Sequence, residues 1–179
     1  MSIVIFVCAS LVLAALCRRQ LVNPRCHGFY RFFAIEALLA LACINLAKPP
    51  QLFGVLGIAS GVFASGSAIL VLSALAHLRR ARHSARTACP ENFAFENTSE
   101  LITDGLYQYI RHPMYSSLLL LGIGLSLQKP DLWSGLLLAL VILFCWLTAR
   151  TEEVENFAFF GAEYRAYQKR SHMLIPYVL

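Results

Sequence analysis

A polar cluster with side chains suited to chemistry occupies residues 105–115, whose sequence is GLYQYIRHPMY. It places Arg111 and His112 at the mouth of an apolar run, and Pro113 suits the first turn of a helix that begins there. The same pattern is also typical of an interfacial anchor, in which arginine and tyrosine lie at the lipid headgroups. Both interpretations stay open at this point.

A second cluster, 150–155, follows another apolar run and reads RTEEVE. Thr151 followed by acidic residues could be a helix capping box. Glu152 and Glu153 could instead form a carboxylate site for a hydroxyl-bearing or cationic ligand. If the two apolar runs form a hairpin, both clusters emerge on the same membrane face. An arginine–histidine cluster opposite a glutamate cluster would suit a zwitterionic ligand, which does not yet name a reaction.

Five apolar stretches must position these clusters. A membrane-spanning helix needs about 20 residues, so the second, third and fifth stretches fit, the first is marginal and the fourth is short. The fourth ends at a tight turn, QKPD, which predicts that the last two stretches form a helical hairpin that need not cross fully. The stretches are Ile3–Cys17, Phe29–Leu46, Leu52–Ala76, Met114–Leu127 and Leu132–Ala149.

Composition excludes most alternatives to a membrane protein. The 179 residues are 58% hydrophobic and only 14% charged, and the mean hydropathy is +0.62. A soluble domain has roughly 25% charged residues, and disordered or coiled-coil chains are more polar still. The six cysteines form no CxxC pair, so no metal site is predicted. The net charge of +5 comes from basic residues between apolar runs, which favours loops against an anionic leaflet over nucleic-acid binding.

The distribution of basic residues predicts the orientation. The six polar segments before, between and after the apolar stretches carry 0, 4, 1, 5, 1 and 4 Lys or Arg residues, so thirteen lie on one side and two on the other. The positive-inside rule then puts the N-terminus outside and the C-terminus in the cytoplasm, with about five transmembrane helices. A bacterial inner membrane and an endoplasmic reticulum both satisfy this rule.

We therefore predict an all-α integral membrane protein that forms a single domain over residues 1–179. Residues 1–76 supply three N-terminal helices, and residues 77–179 supply the core that carries both polar clusters. The segments His77–Ile110 and Thr151–Leu179 mix aromatic and charged residues, so they are predicted to be cytoplasmic segments at the membrane interface.

Two features inside the apolar stretches add expectations. Gly57, Gly61 and Ser65 recur every four residues, which predicts a small-residue face for close helix packing. Glu36 lies within the second stretch, where a carboxylate is costly unless it is paired or faces a polar cavity. A structural pair and a functional role both remain possible for Glu36.

The C-terminal part of the chain resembles a known enzyme family. The runs LITDGLYQYIRHPMY, ARTEEVE and FFGAEYRAYQKR, followed by a closing Ile-Pro-Tyr, are similar in type and order to the isoprenylcysteine carboxyl methyltransferase family. The related phospholipid N-methyltransferases share the core of this pattern. The resemblance covers about Leu101–Tyr177, and the joint occurrence of the motifs in this order makes it specific.

The resemblance implies that S-adenosylmethionine binds in a cytoplasmic pocket that a C-terminal tail closes. Arg111 and Arg150 would be the catalytic residues that orient the acceptor carboxylate. The cofactor-binding residues implied by position are Tyr107, His112, Pro113, Tyr115, Glu152 and Glu153. The residues that shape the closing tail would be Gly161, Glu163, Tyr164 and Tyr167.

Two positions depart from the family pattern, and two others are weaker candidates. Ser117 stands where the family often has glycine, and its small side chain still permits close approach. Ser99 stands where the family often has histidine, which puts one cofactor contact in doubt. His77 and Asn92 stay as further candidates in the loop before the first cluster.

The resemblance implies a membrane-embedded, S-adenosylmethionine-dependent methyltransferase. Its acceptor would be the carboxylate of a prenylcysteine-like or other lipidic partner, a small molecule or a lipidated protein, reached from the bilayer. A phospholipid amine N-methyltransferase is an alternative with the same cofactor. A nicotinamide-dependent membrane reductase and a non-catalytic membrane adaptor are further alternatives. No nucleic-acid partner is expected, and the sequence does not predict an oligomeric state.

Overall fold

The computed structural model describes residues 2–46, 54–80, 91, 93 and 98–176. Over these residues the chain forms helices and turns with no β-strand, which confirms the predicted all-α membrane class. The 3₁₀ turns are Gln20–Val22 and Gly105–Gln108. The α-helices are α1 (Ser2–Leu16), α2 (His27–Leu46), α3 (Val55–Arg80), α4 (Pro113–Gln128), α5 (Leu132–Phe160) and α6 (Ala162–Gln168).

Three of the described helices, α2, α3 and α5, are long and apolar enough to cross a membrane. Helices α1 and α4 have 15 and 16 residues, so they are about 22–24 Å long against a hydrocarbon core of about 30 Å. The first and fourth apolar stretches were expected to be marginal or short, and the structure agrees. The prediction of about five transmembrane helices therefore holds by length for three helices among the described residues.

Helix α5 extends much further than its apolar stretch. The apolar run ends at Ala149, but the helix continues to Phe160 and ends where Gly161 adopts φ +58°. Thr151 donates a hydrogen bond from Oγ1 to the carbonyl of Leu147 at 2.9 Å, as a residue inside a helix does. The capping-box interpretation of Thr151 is therefore wrong. Hydropathy marked the end of the apolar surface, whereas no glycine or proline ends the helix until Gly161.

The helices pack in two main pairs. Helix α3 packs against α4, and α2 packs against α5, while α4 and α5 form the predicted hairpin. The core lies between α2 and α5, with contributions from α4 and the C-terminal tail. Its buried members are Ala34, Ala37, Leu38, Tyr115, Val141, Cys145, Ala149, Met173 and Leu174.

The α3–α4 contact uses a different face of α3 from the one predicted. Gly61 and Ser65 are exposed, whereas Ser60 and Ser67 are buried. A Cβ added to Gly124 of α4 would lie 3.1 Å from the carbonyl oxygen of Ser60, so this glycine permits the close approach. The spacing of small residues indicated a packing helix but did not identify its packing face.

Because the chain direction alternates between helices, the helix ends form two groups. The start of α1, the end of α2 and Lys129 in the α4–α5 turn lie together around one apolar groove. The end of α3, the start of α4 and the end of α5 lie together around another cleft. Both polar clusters of the sequence are therefore at the same end of the helix bundle, as the hairpin predicts.

Candidate functional site

The two polar clusters line an open cleft of about 680 Å³. Helix α4 supplies its N-terminus, α5 supplies the polar face of its extension, and α6 closes one side with Tyr164 and Tyr167. The remaining wall comes from the end of α3 and the segment before the 3₁₀ turn. The lining residues are Leu78, Thr98, Leu101, Ile102, Tyr107, Arg111, His112, Pro113, Met114, Tyr115, Glu152, Asn156, Phe160, Tyr164 and Tyr167.

Glu152 is the carboxylate that faces this cleft. Tyr115 donates its hydroxyl to Glu152 Oε2 at 2.5 Å, and His112 Nδ1 lies 3.6 Å from the same oxygen. The rings of His112 and Tyr115 stack with centroids 5.6 Å apart, so both are held against the start of α4. A carboxylate with two partners on one oxygen keeps acceptor capacity on the other, because an ionised carboxylate has about four acceptor sites.

His112 lies between two carboxylates. Its Nε2 is 3.7 Å from Glu153 Oε1, and its Nδ1 faces Glu152, so these contacts are ion pairs rather than close hydrogen bonds. Burial would lower the pKa of His112, but the negative charges of Glu152 and Glu153 outweigh it and raise this pKa above its usual value. The site therefore favours an imidazolium at the N-terminus of α4.

Glu153 lies beside the cleft and binds Arg111. The Nε and Nη2 atoms of Arg111 both lie 2.6 Å from Glu153 Oε1, and Nη1 donates to the backbone carbonyl of Ser171. Gln168 Nε2 adds a 3.3 Å hydrogen bond to Glu153 Oε2. This network ties the arginine of the first cluster to the C-terminal tail, so Arg111 and Glu153 position the tail.

The C-terminal tail runs alongside residues 109–112. Backbone N–H groups of Arg111 and His112 donate to the carbonyls of His172 and Met173 at 2.8 and 3.1 Å, and His172 N–H donates to Tyr109 at 2.9 Å. The hydroxyl of Tyr167 donates to the carbonyl of Tyr107 at 2.5 Å. These bonds hold the tail across one side of the cleft, as expected for a segment that closes a pocket.

Six of the eight site residues predicted from sequence line the cleft. Glu153 lies just behind it in the network with Arg111. Arg150 is exposed on α5, with Cζ 5.7 Å from the centroid of the Trp146 ring, and it is not among the lining residues. Asn92 and Tyr177 lie outside the described residues. His77 packs beneath the Gly105–Gln108 turn, with its ring centroid 6.2 Å from that of Tyr107.

Sequence reasoning missed two lining residues on α5. Asn156 and Phe160 follow Glu152 at intervals of four residues, which puts all three on one helix face. This spacing was visible in the sequence, but the helix was assumed to end at the apolar boundary. Leu78 and Thr98 had no comparable signal, because they lie outside the motifs. Leu101 and Ile102 belong to the LITDG run but were not predicted as site residues.

Comparison with known proteins decides the family. The family model described as phospholipid methyltransferase matches residues 51–155, which is more than half of the chain. The chain belongs to the phospholipid methyltransferase family. The matched range contains both polar clusters, so the resemblance seen in the motifs is confirmed. No solved structure matches the chain significantly.

Several relatives in this family are isoprenylcysteine methyltransferases. A protein-S-isoprenylcysteine O-methyltransferase of Schizosaccharomyces pombe is 35% identical over 79 residues, covering 44% of this chain and 34% of that protein. A probable one of Oryza sativa subsp. indica is 33% identical over 86 residues, covering 47% and 44%. The Mus musculus protein of the same name is 33% identical over 84 residues, covering 46% and 29%. The chain thus spans less than half the length of these relatives.

Proposed function

We propose that this protein is a membrane-embedded, S-adenosylmethionine-dependent methyltransferase whose acceptor is the carboxylate of a prenylcysteine-like or other lipidic molecule. The observation that carries the proposal is the cleft in which Glu152 meets His112 and Tyr115 beneath the C-terminal tail. The family supports a methyl-transfer reaction, and the names of the relatives support a prenylcysteine acceptor.

The cleft fits the proposed methyl donor in chemistry. Glu152 would hold a cationic or hydroxyl-bearing part of the donor, and the aromatic side chains of Tyr107 and Phe160 line the same cleft. The charge of Glu152 also complements the positive sulfonium and ammonium groups.

The residues of the cleft act by binding, orientation and exclusion of water. When bound, S-adenosylmethionine supplies a methyl group that an acceptor oxygen attacks as the carbon–sulfur bond breaks, leaving a methyl ester and a neutral thioether. Because opposite charges neutralise each other in that step, a site that excludes water favours it. Tyr164, Tyr167 and the tail they anchor would supply that exclusion. In-line positioning can contribute several kcal/mol.

A phospholipid amine is the second candidate acceptor. The description of the matching family as phospholipid methyltransferase favours it. An amine that carries a proton must lose it before methyl transfer, whereas an ionised carboxylate needs no general base. Glu152 is the carboxylate at the cleft that can accept such a proton, whereas His112 is already held as an imidazolium.

We also propose that the cleft faces the cytosol. Of the twelve Lys and Arg residues that the structure describes, eleven lie in the segments at the cleft end of the helices, and the other is Lys129 in the α4–α5 turn. S-adenosylmethionine is a cytosolic metabolite, so this orientation gives the cleft access to it. The orientation is tested with a reporter that is active only in the cytosol, fused to either terminus. Activity at the C-terminus is expected, and activity at the N-terminus alone would contradict the proposed orientation.

Ligand binding tests the proposed function most directly. Calorimetry with S-adenosylhomocysteine on the purified protein in detergent should give a dissociation constant on the order of micromolar. Glu152→Gln should weaken binding by about tenfold or more, because it removes the charge that faces the cleft. Glu36→Gln is the matched control, since Glu36 binds Ser10 at 2.9 Å and does not line the cleft.

The acceptor is assigned in a separate assay. Radiolabelled methyl groups transferred to a prenylated cysteine analogue should be released by base, as methyl esters are. Label on an extracted phospholipid that resists base would favour the amine instead. Absence of S-adenosylhomocysteine binding by a folded wild type, or equal loss in Glu152→Gln and Glu36→Gln, would contradict the proposed cleft.

A further inference from the structure

One face of α5 carries a stripe of exposed side chains that the cleft does not use. Its members are Trp146, Arg150, Val154 and Phe157, at intervals of four, four and three residues, which places them on one helix face. Val154 is 70% exposed, Trp146 41% and Phe157 39%. The residues that line the cleft lie on a different face of the same helix, so this segment turns its polar face inward and apolar side chains outward.

Two cations lie on this stripe. Arg150 Cζ is 5.7 Å from the centroid of the Trp146 ring, and Arg165 Cζ of α6 is 4.9 Å from that of Phe157. Both arginines are exposed, and within the described part of the chain neither forms an ion pair with a carboxylate. The aromatic rings hold the guanidinium groups on the helix surface and leave their N–H donors available.

The stripe begins where α5 leaves the hydrocarbon. The apolar part of the helix, Leu132–Ala149, is about 27 Å long at 1.5 Å per residue, close to the thickness of a bilayer core of about 30 Å. Trp133 and Trp146 lie towards the two ends of this part, as tryptophan does at membrane interfaces. Arg150 follows immediately, so its guanidinium reaches the level of the lipid phosphates.

We propose that the stripe of Trp146, Arg150, Val154 and Phe157, with Arg165, docks anionic phospholipid headgroups at the cleft end of the bundle. The guanidinium groups bind the lipid phosphates in a planar, two-donor geometry. Val154 and Phe157 lie about 6 and 10 Å further along the helix than Arg150, so they contact the outer part of the headgroup layer. This places the polar face of α5, and the cleft on it, at headgroup depth, where a lipidic molecule can enter sideways. The surface also gives the exposed Arg150 a binding partner outside the cleft.

Tryptophan fluorescence tests the lipid preference at the stripe itself. The chain contains two tryptophans, so Trp133→Phe leaves Trp146 as the sole reporter. The full-length variant is placed in lipid vesicles of mixed phosphatidylcholine and phosphatidylglycerol, with bromine on the acyl chains of one lipid or the other. Brominated phosphatidylglycerol should show about a fivefold local enrichment at Trp146, the factor that one basic residue contributes near an anionic surface.

Charge-neutral and charge-preserving variants identify the cause. Adding Arg150→Gln and Arg165→Gln should bring the enrichment close to one, and the pair Arg150→Lys and Arg165→Lys should retain most of it. Trp146→Phe reports instead from Trp133 at the opposite end, where Lys129 binds Asp131 at 3.2 Å, and no enrichment is expected there.

Three results would overturn the proposal. These are an enrichment near one for the parent, an unchanged enrichment in the glutamine pair, and an equal enrichment at Trp133. If the glutamine pair does not fold, the parent is measured in about 0.5 M NaCl, which screens exposed charges. Loss of enrichment in salt then supports the arginine stripe, and a salt-independent enrichment contradicts it.

Discussion

The hydroxyl of Tyr115 is the shortest link between the first polar cluster and Glu152, at 2.5 Å. Tyr115→Phe removes this donor and leaves the carboxylate with His112 as its remaining partner at 3.6 Å. We expect a loss of about 1.5 kcal/mol in the free energy of unfolding, at the low end for a bond to a charged group because the Glu152 side chain stays 24% exposed. Chemical denaturation in detergent measures this loss.

Tyr109→Phe is the matched control for this change. The Tyr109 side chain is 48% exposed, so removal of its hydroxyl should change the free energy of unfolding by less than about 0.5 kcal/mol. Equal effects of the two substitutions would show that the bond between Tyr115 and Glu152 adds nothing to stability.

His112 gives the site a dependence on pH whose sign follows from its raised pKa. The pKa lies above the usual 6.5 because Glu152 and Glu153 outweigh the effect of burial. The resulting stabilisation is complete below the unfolded pKa, near 6.5, and is lost as the pH rises through the folded pKa. We expect the melting temperature of the wild type to fall over this range above pH 6.5, and that of His112→Gln to change less.

Arg111 and Tyr115 also lie next to His112 and its carboxylate partners. Arg111 binds Glu153, and Tyr115 stacks on the imidazole ring. Burial raises the pKa of the neighbouring Tyr107 and Tyr167 above its usual value, so these two phenols stay neutral near pH 7. A wild type and a His112→Gln variant with the same pH slope would assign the dependence to another group.

At the scale of single elements, the turn at Gly105–Gln108 shows how a helix positions a cleft residue. Gly105 has φ +57°, and a Cβ added there would lie 2.2 Å from Nε2 of His77 on α3. His77 itself is held by a 2.8 Å hydrogen bond between Nδ1 and the carbonyl of Ser73. The turn therefore sits directly on the histidine ring, and this contact places Tyr107 at the cleft.

Gly105→Ala should destabilise the protein by more than about 2 kcal/mol, from backbone strain together with the clash. His77→Ala removes the ring, so Gly105→Ala should cost at least about 1 kcal/mol less in that background. Denaturation of the two single variants and the double variant measures the coupling. Gly161→Ala is the control, because φ is +58° there and no atom lies within 4 Å of the added Cβ. Additive costs at Gly105 and His77 would contradict the contact.

The sequence predicted elements better than it predicted their ends and faces. Hydropathy located all five apolar helices, because a helix that faces lipid carries apolar side chains on its surface. Hydropathy placed the end of α5 at Ala149, although the helix continues to Phe160. Hydropathy reports which side chains are apolar and does not show where the helical backbone ends. In the same way, Gly61 shared the spacing of a packing face but is exposed, since only the partner helix determines which face is used.

The sequence predicted those parts of the candidate site whose residues are close together in the chain. It did not predict contacts between residues that are far apart in the chain. Arg111, His112 and Glu152 came from local motifs, and six of the eight predicted residues line the cleft. The side-chain hydrogen bond between His27 and Glu155 joins positions 128 residues apart, so no local pattern indicated it. Such contacts depend on the packing of α2 against α5, which the amino-acid sequence specifies only through the whole fold.

At the scale of the whole molecule, Glu155 connects the N-terminal helices to the cleft. Its Oε1 accepts the backbone N–H of His27 at 2.7 Å, and its Oε2 lies 2.8 Å from His27 Nδ1. The side chains are 3% and 9% exposed, so the pair is buried at the N-terminus of α2, where a negative charge is favourable. Glu152 lies one turn earlier on the same helix. We propose that this pair makes residues 1–76 and 77–179 one cooperative unit.

Glu155→Ala should therefore reduce the free energy of unfolding by about 1–3 kcal/mol, the cost of leaving buried hydrogen-bonding groups of His27 without their partner. It should also weaken S-adenosylhomocysteine binding, although Glu155 does not line the cleft, because α5 loses the contact that fixes its position against α2. Glu36→Ala on α2 is the control, because Glu36 binds Ser10 and does not line the cleft. If both variants unfold like the wild type, apolar packing between α2 and α5 suffices to join the two parts of the chain. Loss of both stability and binding in Glu155→Ala alone would show that the N-terminal helices determine the geometry of the cleft. They would do so from outside it, because Leu78 at the end of α3 is the one described residue of these helices that lines the cleft.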